Sequence, residues 1–557
     1  MKYLTSTKKI QNSGNPTAKI WIVGESPGNE EIKKGKPFMG KSGDKLRQVL
    51  SAHGITYDKC FVTNLCPYQP VKNDFTNLLD NTPKELKKIS SLAHLKPKPE
   101  LKEGIKTLFD LIREHKPDII LALGAYPTSI LTNTWHSITK SRGSVYECFP
   151  RKETKILASF HPAYILRNPS AFSAFDADIY KLSRYASGKV QPLQMDLIIN
   201  PTQEHIDDYL TQPYLAVDIE TLKITPKTVG MTKIRCISFA KSRHHSICIE
   251  LDGSARHDAW IRQLLTCPAK KIFHNGSAFD IVMLELNRFV VNNFTDDTMI
   301  QSHVLYPELP KDLAFLTSIY TDMPYYKDEG KEKDAKGWSM RKSIEDLKIY
   351  NCKDTIATYW VWEELKELIA EREDDKRIYE YEIELANALI PLAHLGMKRD
   401  PERNKILKVA LEAKLAKQYA IIGVILNQAE FNPNSPKQVQ FVLYEHFKFP
   451  IQYKNAKGKK SVTSDNDALV KLLGMAIDRQ DLSPLWKIKL KFIEAMLKIR
   501  EYEKMLSSQI NVIPSREGRV RGVYNAAGTE SGRLSSSKYV DGTGMNMQTI
   551  TRGVVET

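Results

Sequence analysis

The sequence predicts a multidomain α/β protein in which two α/β parts are followed by a mostly helical part. At 557 residues the chain is too long for one ordinary domain. Short apolar runs alternate with polar, helical segments between about Lys19 and Tyr185 and again from Tyr214, which is typical of α/β sheets. After Lys376 the apolar residues follow the 3.6-residue spacing of helices. The predicted domains are residues 1–190, 200–375 and 376–557.

The individual elements follow from short stretches of sequence. KIWIVG (19–24) and DIILALG (118–124) are apolar runs that end in glycine, which indicates buried parallel strands. In the middle part LAVDIET is a predicted strand with IRCISFA and SICIEL as its partners, and KKIFHNGSAFD predicts a strand that enters a turn. YEYEIELANALIPLAHLG, KILKVALEAKLAKQYAIIGVILNQ and PLWKIKLKFIEAMLKIREYEKML are predicted helices. Residues 187–203, with two prolines and little periodicity, form the predicted linker.

Composition and charge narrow the class of partner. Lysine and arginine exceed aspartate and glutamate by 81 to 66, and the net charge of +15 favours a polyanion such as nucleic acid. A merely basic enzyme fits the composition about equally well. The seven cysteines are scattered and contain no CxxC pair, so neither a zinc ribbon nor a disulfide framework is indicated. No apolar run approaches a membrane span and no signal-peptide core opens the chain, which predicts a soluble, cytoplasmic protein with no membrane partner.

The strongest chemical signal lies in the middle part. Asp218 and Glu220 stand at i and i+2 of a predicted strand, so both carboxylates point to one face. Two neighbouring carboxylates repel each other unless a cation lies between them, and Mg²⁺ prefers such oxygen ligands. Alone, Asp218 is better explained as an exposed acid on a strand. Two further acids are Asp280 in HNGSAFD and Asp354 in YNCKD, where Tyr350 lies on the same predicted helix face as Asp354. With all four acids present, the sequence favours a site for two metals.

These motifs, in this order, resemble the DnaQ-like 3′→5′ proofreading exonucleases that have a tyrosine in the third motif. The resemblance implies an RNase H-like fold, two divalent metal ions (Mg²⁺ or Mn²⁺) and single-stranded 3′ ends of DNA as the substrate. It implies that Tyr350 orients the attacking water, that Glu220 and Asn275 act on the 3′ end, and that Asp297 in DDT lies near the metals. The implied metal ligands are Asp218, Glu220, Asp280 and Asp354.

The C-terminal part carries a second set of motifs. FNPNSPKQVQFVLYE, TESGRLSSS and GMNMQTI resemble the entry to the polymerase domain of family A DNA polymerases, whose thumb-like region is mostly helical. The resemblance implies contacts with primer–template DNA, whereas the lysines taken alone are better explained as a solvated basic loop between helices. The implied DNA-binding residues are Lys454, Lys457, Lys459, Lys460, Arg533, Ser535, Ser536, Asn546 and Gln548.

No segment before Thr557 resembles the palm or the fingers of that family. DNA synthesis is therefore expected to need a palm that this chain does not contain, for example one on a second chain. The alternative is a non-catalytic DNA-binding subunit of a split polymerase.

The first part contains VGESPG, GKPFMGKSG, FVTNLCP and SFHPAYILR, and this order resembles the family 4-like branch of the uracil-DNA glycosylase superfamily. The resemblance implies a pocket for an extruded uracil: Glu25 in the loop that holds water, Phe38 stacking on the base, Asn64 reading its polar edge and His161 stabilising the departing anion. The cysteines that hold this branch's iron–sulfur cluster are not reproduced, so no cluster is expected. Such a domain either cleaves uracil or only binds DNA. The order of the three parts is that of polymerases from large bacterial viruses, which implies DNA replication in a host cytoplasm.

Overall fold

The computed structural model describes residues 3–86, 91–187, 193–222, 228–231, 233–329, 331–333, 339–341, 343–427, 431–456, 459–478, 483–515 and 517–550. The chain divides into two units. The first comprises Met1–Thr221, Ile234–Asn275 and Phe289–Ile383, and the second comprises Leu222–Lys233, Gly276–Arg288 and Glu384–Thr557.

The first α/β part is built on a five-stranded sheet. Its strand order is Phe61–Asn64, Ile20–Gly24, Ile119–Leu123, Arg151–Ser159 and Val145–Cys148, and all pairs are parallel except the last. Both predicted apolar strands are confirmed, because strands covered on both faces consist of unbroken apolar runs. The carboxyl ends of the four parallel strands meet at one edge of the sheet, where α/β proteins bind their ligands.

Helices cover both faces of this sheet, and two separate cores result: Ile22 and Leu121 belong to one, Trp21 and Ile120 to the other. A short antiparallel pair, Leu4–Ser6 with Gln69–Pro70, lies outside the sheet. The α-helices are Asn29–Lys34, Lys41–Ala52, Pro83–Leu86, Pro99–His115, Ala125–Thr132, Ile138–Ser141, Pro162–Arg167 and Phe172–Ala186.

The second α/β part has a six-stranded sheet in the order Phe294–Asp297, Lys270–Phe273, Tyr214–Thr221, Ile234–Ala240, His245–Glu250 and Asp196–Ile198. The strands predicted from LAVDIET, IRCISFA, SICIEL and KKIF are therefore confirmed. The last strand lies inside the predicted linker, which is wrong for these three residues: they pair in parallel with His245–Ile247. Three residues are too few to show an alternating pattern, so pairing rather than sequence period defines this strand.

One long helix, Ile344–Ala370, packs against this sheet and begins at Ser343, whose hydroxyl accepts a hydrogen bond from the backbone N–H of Asp346. The other α-helices of the second part are Gln203–Leu210, Ala255–Thr266, Thr298–Leu305 and Leu313–Tyr320, and Lys331–Lys333 pairs with Ser339–Arg341.

A buried polar joint connects the two α/β parts within the first unit. Arg142 donates hydrogen bonds to the Asp178 carboxylate and, at 2.8 Å, to the Ser318 hydroxyl. The Lys181 ammonium donates to the carbonyls of Ser318 (2.5 Å) and Thr321 (2.6 Å). Burial lowers the pKa of Lys181 to about 8. Charges this deep are tolerated only when every donor is matched, so the joint fixes the two parts to each other.

The second unit is mostly helical, as predicted after Lys376. Pro401–Leu426 and Pro484–Met505 each begin at an acidic or hydroxyl cap followed by proline, the usual sequence signal for a helix start. Ile422, Leu443 and Phe492 belong to its core. The further α- and π-helices with residues in this unit are Asp280–Leu286, Glu373–Leu395, Pro436–Gln440, Phe441–His446, Asn466–Asp478 and Leu506–Ile510. Three antiparallel strand pairs accompany them: Met397–Lys398 with Arg519–Val520, Tyr453–Ala456 with Lys459–Val462, and Gly522–Asn525 with Ser535–Lys538.

Within the described ranges, no helix combines the length and the apolar character that crossing a bilayer requires.

Candidate functional site

The carboxylates of the middle part meet on one face of the six-stranded sheet. Asp218 and Glu220 lie on the strand Tyr214–Thr221, and the helix Ile344–Ala370 brings Asp354 to them. One oxygen atom of each of the three side chains lies within 4.8 Å of the others. Asp354 is buried and the other two are half-buried. Like charges this close are costly without a cation, and an all-oxygen set suits Mg²⁺ or Mn²⁺.

Two residues that sequence reasoning missed contact the same carboxylates. The hydroxyl of Tyr326 donates to Asp354 Oδ1 at 2.6 Å, and the ammonium of Lys327 donates to the same oxygen at 2.7 Å. Lys327 Nζ also lies 3.2 Å from the hydroxyl of Tyr350, the tyrosine that is predicted to act on water. Burial and the Asp354 carboxylate raise the pKa of Tyr326 well above its ordinary value, so its hydroxyl stays a donor. The stretch YYKDE has no periodicity that could have revealed these contacts.

Asn351 is a third missed residue. It follows Tyr350 on the same helix, is completely buried, and its Nδ2 donates to Asp218 Oδ2 at 2.5 Å. Ser238 lies directly opposite Asp218 on the neighbouring strand, and its hydroxyl donates to the backbone carbonyl of Asn351 at 2.9 Å. The helix and the sheet are thus joined at the carboxylate itself.

The second motif, HNGSAFD, is bonded to Asp297 through the backbone of Asn275. The backbone N–H of Asn275 donates to Asp297 Oδ1 at 3.0 Å, and Asn275 has a positive φ of 63°, which asparagine tolerates better than most residues. Asp297 Oδ1 also accepts from the backbone N–H groups of Met299 (2.9 Å) and Ile300 (3.4 Å). Asp297 is therefore a fully buried helix cap. The suggestion that it also lies near the metals stays a prediction.

Asp280 begins the helix Asp280–Leu286 and is buried. It belongs to the second unit, whereas the other three acids belong to the first. Its place among the metal ligands stays a prediction.

The first α/β part contains a cavity of about 460 Å³ at the carboxyl edge of its sheet. Glu25, Asn64 and His161 line this cavity, together with Ser26–Gly28, Tyr164 and Arg167. Phe38 is 2 % exposed, and its ring stacks on the His161 ring with the centroids 5.7 Å apart.

Glycine is needed where the sheet enters this cavity. A Cβ on Gly24 would lie 2.4 Å from Asn64 Oδ1 and 2.7 Å from Phe38 Cζ. Any larger residue at position 24 would displace the two side chains that the sequence places in the pocket.

The electrostatics of the cavity follow from its burial. Burial raises the pKa of Glu25 to about 7 and lowers the pKa of His161 to about 4. His161 is therefore neutral at pH 7. Its Nδ1 accepts a hydrogen bond from the Ala163 N–H at 3.2 Å, which leaves the proton on Nε2 as a donor. Asn64 is 7 % exposed, and within the described residues its Nδ2 has no hydrogen-bond partner. The cavity thus offers donors suited to the oxygens of a planar base.

Among the predicted DNA-binding lysines, Lys454, Lys459 and Lys460 lie on the paired strands of a hairpin rather than on an irregular loop. Lys454 and Lys460 belong to the paired strands Tyr453–Ala456 and Lys459–Val462. Lys454 forms an ion pair with Asp465 at 3.0 Å, and Lys460 lies over the Tyr453 ring at 4.3 Å. Lys457 and the side chain of Lys459 lie outside the described residues.

The two C-terminal motifs are bonded to each other. The backbone N–H of Met547 donates to the Ser536 hydroxyl at 3.1 Å, and Gln548 Nε2 donates to the Leu534 carbonyl at 2.7 Å. Asn546 accepts from the Gln548 N–H at 2.9 Å, Ser535 begins the strand Ser535–Lys538, and the Arg533 carbonyl accepts from the Thr529 hydroxyl at 2.7 Å. Their contact with DNA stays a prediction.

Comparison with known proteins assigns each part. Residues 11–182 match the family model of the uracil DNA glycosylase superfamily, residues 201–370 that of the 3′-5′ exonuclease, and residues 402–553 that of DNA polymerase family A. The chain is thus a family A DNA polymerase-like protein with a 3′-5′ exonuclease domain and a uracil-DNA glycosylase superfamily domain. This confirms the predicted families and the multidomain α/β fold class.

Particular relatives agree with this assignment. A type-4 uracil-DNA glycosylase of Thermotoga maritima is 32% identical over 169 residues, 30% of this chain and 77% of that protein. A second, of Sulfurisphaera tokodaii, is 32% identical over 186 residues, 32% of this chain and 76% of that protein. The DNA polymerase of Bacillus phage SP01 is 23% identical over 638 residues, which cover 95% of this chain and 63% of the phage protein. This chain therefore spans less than two thirds of that polymerase.

Proposed function

We propose that this chain removes nucleotides from the 3′ ends of DNA by metal-dependent hydrolysis, as the proofreading part of a DNA polymerase. The observation that carries the proposal is the convergence of Asp218, Glu220 and Asp354, whose oxygens lie within 4.8 Å of one another. Three separate carboxylates gathered this closely on half-buried and buried positions are expected to hold a cation.

The three clustered carboxylates fit a divalent cation, and with Asp280 as the fourth ligand the set is proposed to hold two Mg²⁺ or Mn²⁺ ions. Cations bound there supply charge that activates water and stabilises the leaving 3′ oxygen. The chain's own residues orient the reactants. Because the Lys327 ammonium has donors only, the Tyr350 oxygen accepts from it, and this bond is proposed to hold Tyr350 where it orients the attacking water. Glu220 and Asn275 are proposed to contact the terminal nucleotide.

The test uses 3′-labelled single-stranded DNA and Mg²⁺. The double variant Asp218→Ala, Glu220→Ala should release nucleotide at least a thousandfold more slowly than the unmodified chain, since no ligand pair remains on the strand. Asp207→Ala changes an exposed acid on the helix Gln203–Leu210 and serves as the matched control, with an unchanged rate expected. Equal, slow release by the double variant and the unmodified chain would favour the alternative, a DNA-binding subunit without catalysis.

We further propose that the cavity of the first part binds an extruded uracil. The supporting observation is the set of donors and acids in a space of about 460 Å³: a neutral His161 with its proton on Nε2, the Asn64 amide, and a Glu25 carboxyl whose pKa is about 7. Donation from Nε2 to a base oxygen would stabilise negative charge as the base leaves, and an ionised Glu25 could hold the attacking water.

Uracil-containing single-stranded DNA tests this second function through the abasic sites that alkali converts to strand breaks. Breaks should form with the unmodified chain and be reduced at least a hundredfold by His161→Ala. The matched control is His205→Ala, which changes a half-buried histidine outside the cavity. Binding that prefers uracil over thymine without any breaks would reduce the function to recognition, and no preference would overturn it.

The polymerase-family residues are proposed to hold primer–template DNA through Lys454, Lys457, Lys459, Lys460 and the GRLSS and NMQ motifs. Replacing Lys454 and Lys460 by alanine should weaken duplex binding and lower its salt dependence by about two counterions. An unchanged salt dependence would show that these lysines are solvated surface residues that do not contact the DNA. The relative from a bacterial virus supports DNA replication in a host cytoplasm as the setting.

A further inference from the structure

Asn351 lies between a predicted metal ligand and a group of thiols. Its Nδ2 donates to Asp218 Oδ2 at 2.5 Å, while its Oδ1 accepts from Cys248 Sγ at 3.6 Å and from Cys236 Sγ at 3.8 Å. The side chains of Asn351 and both cysteines are completely buried. Both polar atoms of this buried amide therefore have hydrogen-bond partners.

The register of the sheet explains how these groups come together. Asp218 pairs with Ser238, and Ser238 pairs with Cys248 on the next strand, so the three side chains lie in one row across three strands. Cys236 lies two residues before Ser238 and therefore on the same face. The helix Ile344–Ala370 packs on this face and inserts Asn351 into it.

The chemistry of the partners allows only one orientation of the Asn351 amide. An ionised carboxylate can only accept hydrogen bonds, so the NH₂ group must face Asp218. A thiol can donate, so the amide oxygen must face the cysteines. Burial raises the pKa of the Cys248 thiol well above its ordinary value, which keeps its proton in place. A flipped amide would set two acceptors against each other at Asp218 and leave the thiols without an acceptor.

We propose that Asn351 is a positioning residue for the exonuclease: held by the thiols of Cys236 and Cys248, it fixes the Asp218 carboxylate in the orientation that binds the divalent cation. This inference rests on the proposed function, in which Asp218 is a metal ligand. The hydrogen bond occupies one lone pair of Oδ2 and restricts rotation of the carboxylate. Outer groups of this kind tune the affinity of a metal site even though they never touch the metal.

The experiment measures Mn²⁺ binding directly, by electron paramagnetic resonance of the full chain without DNA, alongside the exonuclease rate as a function of Mg²⁺ concentration. The variant Asn351→Leu keeps the branching and the number of side-chain heavy atoms and removes the donor. It should weaken Mn²⁺ binding about tenfold or more and raise the half-saturating Mg²⁺ concentration by a similar factor, while KM for DNA at saturating Mg²⁺ changes less than threefold. The variant Asn351→Asp places an acceptor against Asp218 instead of a donor. At pH 8 it should therefore bind Mn²⁺ as weakly as Asn351→Leu does.

The matched control is Thr355→Val, which removes a buried hydroxyl one helical turn further on. Among the described residues this hydroxyl is bonded to the Ser246 hydroxyl and to the backbone carbonyls of Cys352 and Asn351, and not to an acid. It should lower the thermal midpoint as much as Asn351→Leu does and leave Mn²⁺ binding unchanged. If both variants lower the midpoint and neither affects Mn²⁺ binding, Asn351 is merely structural and the inference is wrong.

A milder variant covers the case in which Asn351→Leu does not fold. Cys248→Ala leaves the amide in place but removes one of the donors that fix it, and it should weaken Mn²⁺ binding about two- to fivefold. Unchanged binding by Cys248→Ala would then overturn the inference. Asp218→Ala separates the two levels of the argument: if it binds Mn²⁺ normally, the proposed metal site fails. If it loses Mn²⁺ while the Asn351 and Cys248 variants bind normally, only the role of Asn351 fails.

Discussion

Replacing Glu25 by glutamine should stabilise the protein at alkaline pH. Glu25 lines the cavity of the glycosylase-like part, and its burial raises the pKa of the carboxyl from 4.5 to about 7. The folded protein therefore holds this proton more tightly than the unfolded chain does. Ionising the buried group costs folding free energy, and glutamine keeps the shape of the protonated side chain without a charge.

The size of the effect follows from the pKa. Each pKa unit corresponds to about 1.4 kcal/mol, so full ionisation of Glu25 should destabilise the fold by about 3 kcal/mol. Between pH 4.5 and pH 7 the folded state carries more protons than the unfolded state, so stability should fall across this window and level off above it. The advantage of Glu25→Gln should thus be near zero at pH 4.5 and reach about 3 kcal/mol at pH 8.

Thermal unfolding at several pH values between 4.5 and 8, followed by calorimetry, measures this difference. The matched control is Glu30→Gln, an exposed glutamate nearby that forms an ion pair with Lys33 at 2.8 Å. The Lys33 ammonium lowers the pKa of Glu30, so any effect of this control should have the opposite sign. A Glu25→Gln midpoint that stays below the wild-type midpoint at pH 8, or a difference that does not grow with pH, would refute the burial argument.

Three further outcomes are expected. Lys327→Met removes the ammonium beside Asp354 and should slow 3′ nucleotide release about tenfold, which corresponds to the loss of one charge-assisted hydrogen bond. Lys327→Arg should keep part of the rate. Equal rates for both variants and the wild type would exclude a role of Lys327 in the reaction. Arg142→Ala removes the guanidinium that pairs with the buried Asp178 carboxylate and should lower the free energy of unfolding by about 3–5 kcal/mol in urea titrations. A loss below about 1 kcal/mol would contradict the role of the joint in holding the two parts together. The pKa of His161 is about 4, so its imidazole stays neutral between pH 6 and pH 8, and the rate of the proposed glycosylase reaction should not change over this range because of His161. A rate that halves near pH 6.5 as His161 becomes protonated would show that the imidazole is less buried.

Sequence period alone was sufficient for the large elements. The alternation around Asp218 and Glu220 predicted a strand with both acids on one face, and the spacing of Tyr350 and Asp354 predicted a shared helix face. Both are confirmed. That these segments meet could not be deduced from period, because no local pattern encodes a contact across more than a hundred residues. The resemblance to a known family supplied that step.

The missed residues share one physical property. Tyr326, Lys327 and Asn351 act through side-chain contacts with residues distant in sequence, such as the bond from Asn351 to Asp218. A lone polar residue on an amphipathic helix is usually solvated or satisfied locally, so its type does not announce such a role. Asp297 has a second role that its position at a strand end did not reveal, since its carboxylate caps the helix Thr298–Leu305.

The shortest strands were also beyond sequence reasoning. Asp196–Ile198 has three residues, and its place at the edge of the six-stranded sheet depends on pairing with His245–Ile247. The hairpin Tyr453–Ala456 with Lys459–Val462 is rich in lysine, a composition that suggests an open loop. Charged residues are nevertheless common on exposed hairpins, where they discourage pairing with other chains.

The joint of Arg142, Asp178 and Lys181 determines how the first unit can move. Breaking one of its bonds at a time would strand a charge where water cannot solvate it, so a gradual hinge between the two α/β parts has a high barrier. The cavity and the carboxylates consequently keep a constant separation, unlike two modules on a flexible tether that search independently. A single DNA strand that bound the cavity and the carboxylates at once would have to bridge this fixed distance. Whether one strand can occupy both sites at the same time would then depend on the number of nucleotides between its uracil and its 3′ terminus.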